Sequence, residues 1–138
     1  MRSPAHRLRA VAAIVAATLA TPVLARDLVD VPPIDYFPLR IDKATLKQEG
    51  KKFSFSYIID VPKNFEGRKA KEGERGSNEV ETVIDCAAET YTLGKVTVFS
   101  KARGEGEVET VLPAAVDGKP LRIFPNSTAG YLAEFVCP

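Results

Sequence analysis

Two cysteines, Cys86 and Cys137, stand alone in a chain of 138 residues that opens with an export-type leader. In an oxidising compartment a lone pair of thiols is expected to pair as a disulfide rather than to hold a metal or run redox chemistry. Such a bridge constrains the fold more than any other feature, because the tail must end beside residue 86.

The leader is read from three consecutive features. Arg2, Arg7 and Arg9 make a basic start, Ala10 to Ala20 is an uncharged apolar run, and Val23-Leu24-Ala25 gives a small-residue cleavage pattern before Arg26. Residues 1–25 are therefore expected to be removed as a signal peptide, with cleavage between Ala25 and Arg26. The apolar run is shorter than the ~20 residues of a spanning helix, and no cysteine beside the cut could carry a lipid. Residues 26–138 should form one soluble domain, periplasmic or secreted, with no stable membrane anchor. Without the leader the chain has 16 Lys and Arg against 18 Asp and Glu, a formal charge of −2. A nucleic-acid partner would call for a clear basic excess, so none is expected.

The one histidine, His6, lies in the leader. The mature chain then lacks the commonest general base and the commonest metal ligand. Ser54, Ser56, Ser100 and Ser127 have no imidazole to activate them, which excludes the usual serine-hydrolase triad. Glu79, Glu81 and Asp85, and likewise Glu105, Glu107 and Glu109, lack an Asp-rich loop of calcium spacing and read as solvated strand surface. Gly104 and Gly106 read as turn glycines, since no phosphate-loop lysine follows. The chain is read as non-catalytic, with no cofactor and no metal.

Period-two alternation dominates the middle of the sequence. Arg26 to Pro38, with Pro32, Pro33 and Pro38, reads as an extended lead-in that becomes regular near Tyr36. Gln48-Glu49-Gly50-Lys51 reads as a hairpin turn, and its second arm places Phe53, Phe55, Tyr57, Ile59 and Val61 on one face. Lys63 to Ser77 reads as a solvated loop. Its lysines and arginines, with Lys47, Lys51 and Lys52, supply local positive charge whose sharper reading is contact with an acidic polymer or glycan. Val80, Thr82, Ile84 and Cys86 then alternate inward, and Tyr91 to Lys101 reads as a long strand. After a turn at Arg103 to Gly106, a returning arm is expected to put Val108, Thr110 and Leu112 inward. Asp117-Gly118 marks another turn, and Leu121 to Phe124 a short last strand.

At the C-terminus the period becomes helical. Asn126-Ser127-Thr128 fits a glycosylation sequon but is better read as a helix cap. Ala129, Leu132, Ala133 and Val136 share a face, with Cys137 at its margin and Glu134 directed away. So short a helix is marginal alone in water, and a bridge from Cys137 to the inward-facing Cys86 would hold it down.

Ile84-Asp85-Cys86 followed by Tyr91, the strand to Phe99-Ser100, the Gly106 turn, Ile123-Phe124-Pro125-Asn126-Ser127, Leu132 and Val136-Cys137 together resemble the surface-adhesin E family of small exported bacterial proteins. The resemblance covers most of the mature chain if Tyr36 to Asp60 is the first hairpin. It implies an α+β domain with a single antiparallel sheet of about six strands, the C-terminal helix on its concave face and the two cysteines joined. It further implies adhesion to host matrix proteins.

The leading reading is an exported binding module with a protein partner, using the exposed sheet face and the Lys63 to Ser77 loop. The alternative is a soluble periplasmic accessory or inhibitor protein without host contact. A carboxylate-only enzyme would need a deep pocket holding two acids of separated pKa.

Overall fold

The computed structural model describes residues 25–32, 37–62, 75–114 and 118–138. The expected leader up to residue 24, Tyr36, most of the expected 63–77 loop and Asp117 lie outside the described residues. Among the described residues seven strands form one antiparallel sheet: β1 (Leu28–Asp30), β2 (Leu39–Glu49), β3 (Lys52–Pro62), β4 (Arg75–Asp85), β5 (Thr90–Phe99), β6 (Val108–Leu112) and β7 (Leu121–Arg122). Strands β1 to β6 lie side by side in chain order, and β7 pairs with the other end of β5. Helix α1 (Thr128–Val136) closes the chain.

Local chemistry accounts for the hairpins and the helix. Gly50 takes a φ of +61° between the paired residues Glu49 and Lys52, a dihedral that costs glycine little. Ser127 caps α1 by accepting from the Gly130 N–H at 3.0 Å, and its hydroxyl donates to the Phe124 carbonyl at 2.6 Å. A Cβ at Gly130 would lie 2.5 Å from that carbonyl, so only glycine allows the helix to start this close to the preceding turn.

The main core lies between α1 and one face of the sheet. Ile41, Phe55, Tyr57, Val80, Ile84 and Leu132 belong to it, and Ile41, Tyr57, Val80 and Val96 sit in one row across β2 to β5. From α1, Ala129, Gly130 and Leu132 are buried, Ala133 and Val136 pack at the margin, and Glu134 is exposed. The helical face predicted by the sequence is the one observed.

Three expectations need correction. The lead-in is not merely extended: Leu28–Asp30 pairs with Arg40–Asp42 and adds an edge strand. Residues 75–77 belong to β4 rather than to a loop, and Ser77 is wholly buried. Val108, Thr110 and Leu112 do not point inward together. A register shift opposite Val98 and Phe99 pairs Val108 with Phe99, on the face away from α1, whereas Thr110 and Leu112 pair with Val98 and Val96 on the helix face. As an edge strand beyond the reach of α1, β6 leaves all five of its residues exposed.

The face away from α1 carries a second, smaller packing unit. Ile58 is fully buried there, because Arg26 and the tight turn Ala102–Gly104 fold over it; a Cβ on Gly104, at φ +67°, would stand 2.9 Å from Ile58 Cδ1. Arg26 places its guanidinium 5.2 Å from the Phe99 ring centroid and 2.7 Å from Glu79 Oε2. The backbone beside it is tied to β2, with the Asp27 N–H donating to Asp42 Oδ1 at 3.0 Å.

Candidate binding surfaces

Cys86 and Cys137 form the disulfide, with Cα atoms 5.8 Å apart and a sequence separation of 51. Cys86 follows the last residue of β4, and its N–H donates to the Lys51 carbonyl at the β2–β3 turn. Cys137 is the C-cap of α1, its N–H bonded to the Ala133 carbonyl. The bridge therefore joins the end of the helix to the end of the sheet that carries the first hairpin.

Three of the acidic residues singled out in the sequence, Glu79, Glu81 and Asp85, have structural partners. Glu79 pairs with Arg26, and Glu81 accepts from Lys95 at 3.3 Å. Asp85 Oδ1 accepts from the N–H groups of Ala87 and Ala88, each at 3.0 Å, and so fixes the β4–β5 turn. Ser100 accepts from the Glu107 N–H at 2.9 Å, and Ser127 is the helix cap. Ala25 is exposed, while Arg26 is held on the sheet by Glu79.

A cavity of about 280 Å³ lies beneath the start of α1, with Tyr57, Tyr91, Thr82 and Thr128 among its lining. Burial first, and the neighbouring Tyr91 second, push the Tyr57 hydroxyl up to about 12. The neutral phenol is thus favoured by folding, so its contribution to stability is complete below pH 10 and is lost as pH rises toward 12. Between pH 9 and pH 11 the unfolding free energy should fall by about 1 kcal/mol more in the wild-type protein than in Tyr57→Phe. Denaturant titrations at the two pH values measure this; equal losses would show that Tyr57 is not the group responsible.

On the opposite face a shallow groove of about 450 Å³ crosses β2 to β5, with Lys47, Ser54, Ser56, Val83, Glu81 and Thr92 along it. A bulge opposite Glu81 forms part of its floor at Gly94, where a Cβ would come within 3.0 Å of the Glu81 Cβ. This is the exposed sheet face expected from alternation.

The outer edge has a different character. Among the described residues the exposed large apolar side chains are Val108, Val111, Leu112, Leu121, Phe124 and Phe135, all belonging to β6, β7, α1 or the turn before α1. The sequence reading missed this concentration, since alternation alone assigned half of β6 to a core that does not extend so far. The signal available was the strand's position, last in the meander before two turns.

The model of the family described as surface-adhesin protein E matches residues 36–138. The chain belongs to this family. The adhesin-E fold is matched by a solved structure of Haemophilus influenzae protein E at a TM-score of 0.53 and 16% identity, over 86% of this chain and 90% of that one. A crystal structure of protein E from non-typeable Haemophilus influenzae matches at 0.51 and 16%, over 86% and 81%. A second crystal form of Haemophilus influenzae protein E matches at 0.53 and 13%, over 82% and 95%. At these identities the likeness is one of fold. No curated protein matches the chain in sequence. Among the described residues, no helix is long and apolar enough to cross a membrane.

Proposed function

We propose that this adhesin-E family member is an exported, non-catalytic binding module that contacts a host matrix protein through its outer sheet edge. Cleavage between Ala25 and Arg26 would release the mature chain, with Arg26 then starting the domain. The observation that carries the reading is the gathering of exposed Val108, Val111, Leu112, Leu121 and Phe124 along β6, β7 and the turn after them. Exposed apolar surface concentrated in one region is characteristic of protein contact sites, and among the described residues β6 ends the order of the sheet, a position from which partner strands can extend a sheet.

Binding of the mature oxidised protein to immobilised extracellular matrix tests the proposal. Val111→Lys sets a charge on an exposed edge position and should alter stability by no more than about 0.5 kcal/mol. It should weaken matrix binding by about tenfold or more, as loss of a central apolar contact does. Unchanged binding would remove the edge as the contact. Absence of matrix binding, with capture of a periplasmic protein instead, would favour the accessory-protein reading.

A further inference from the structure

We infer that a hollow between β2, β3, the start of β4 and the Ala102–Gly104 turn is a binding site for a sulfate or phosphate monoester, held by Arg75 and Arg103. The hollow measures about 340 Å³ and is lined by Pro38, Arg40, Asp60, Arg75, Ala102 and Arg103. Three arginines and one carboxylate thus line it. Each oxygen of that carboxylate already accepts a hydrogen bond: Asp60 Oδ2 from Arg40 Nη1 and Oδ1 from the Arg103 N–H, both at 2.9 Å. Arg40 has a second acid in Asp30 at 3.1 Å. Among the described residues no carboxylate forms an ion pair with the side chain of Arg75 or Arg103.

Arg75 carries the argument further. Its Nε is buried and, among the described residues, has no hydrogen-bond partner. A buried donor on a permanently charged group left unsatisfied is costly, and native structures rarely retain one without an acceptor that arrives from outside. Arg103 occupies the hollow from a turn residue with φ +63°, a left-handed conformation unusual for a side chain of this size and a mark of constrained functional positions. The two guanidiniums come from different elements, the first residue of β4 and the tight turn. A planar carboxylate satisfies a single fork, whereas a tetrahedral oxyanion presents oxygens in several directions and serves two. This site is separate from the apolar edge, so either can fail without the other.

Arginine side-chain NMR tests the assignment directly. With inorganic sulfate titrated at constant ionic strength, the Nε–H signals of Arg75 and Arg103 should shift saturably, and the signal of Arg26, on the same sheet face but outside the hollow, should not. Arg75→Gln should weaken sulfate binding by about tenfold, the effect of losing charged hydrogen bonds. Arg75→Lys should rescue only part of it, since an ammonium lacks the fork. Arg103→Gln, at an exposed side chain, supplies a second variant should Arg75→Gln fold poorly. Titrations with glucosamine 6-sulfate and glucose 6-phosphate then distinguish a sulfated from a phosphorylated carrier. Shifts that match those given by chloride at equal ionic strength would overturn the site, as would wild-type sulfate affinity in folded Arg75→Gln or Arg103→Gln.

Discussion

Replacing both cysteines with serine lowers the unfolding free energy by about 4 kcal/mol, the chain-entropy value for a bridge closing a loop of this length. The expected melting temperature falls by more than about 10 °C. The effect is large because the bridge spans residues 86 to 137, nearly the whole second half of the sheet together with α1. It is also local in origin. Helix α1 has nine residues and buries only Ala129, Gly130 and Leu132 fully, too little to hold so short a helix without help. Calorimetry of oxidised wild type and the double serine variant measures the difference. A shift of only 1 or 2 °C would mean that packing around Leu132 holds the tail by itself.

The second large effect is expected at Asp60. Its side chain is 4% exposed, and it holds both the Arg40 guanidinium and the N–H of Arg103. Removal leaves Arg40, itself 11% exposed, in a hollow shared with Arg75 and Arg103 and with only the largely exposed Asp30 as partner, and exposed carboxylates contribute little. Asp60→Ala should therefore cost about 3 kcal/mol, the lower end for a broken buried pair. Asp60→Asn keeps an acceptor for the Arg103 N–H and should cost less, about 1 to 2 kcal/mol. Denaturant midpoints for the two variants separate the ion pair from the hydrogen bond; equal losses would show that the ion pair, not the hydrogen bond to the turn, carries the whole effect.

Asp60 also shows where a sequence stops being informative. The alternation of Phe53, Phe55 and Tyr57 against serines was enough to place β3, and Val80, Thr82 and Ile84 were enough for β4, because period two survives wherever the ladder is regular. The helix was equally legible, since Ser127 followed by Ala129, Leu132 and Ala133 encodes both the cap and the buried stripe. Asp60 and Ser77 look like solvent-facing positions by the same rule. They are buried because a turn some forty residues further along Asp60's own chain folds over them, with the Arg103 N–H on Asp60 and the Gly104 N–H on Ser77 Oγ. Alternation contains no trace of such a lid.

Register is the other limit. Bulges after Asp42 in β2, opposite Glu81 in β5 and between Val108 and Thr110 in β6 each change which residues share a face. At β2 the irregularity is held by Thr45, whose hydroxyl donates to the Asp42 carbonyl at 2.7 Å and accepts from the Ser56 N–H at 2.8 Å. Such a device depends on a cross-strand neighbour eleven residues away, so it is invisible to a pattern read along one strand. Of the candidate sites, the disulfide was foreseen from composition and compartment. The apolar edge and the arginine hollow were not, because each is assembled from residues that are unremarkable in sequence order.

Amide hydrogen exchange on the oxidised protein and on the double serine variant, under conditions where β3 and β4 stay protected in both, tests most directly whether the sulfur link fastens α1 to the sheet. The account predicts that Tyr131 to Val136 exchange much faster in the variant, while the amides of residues 53–59 and 78–84 keep their protection. Equal protection of the helix in both proteins would contradict it.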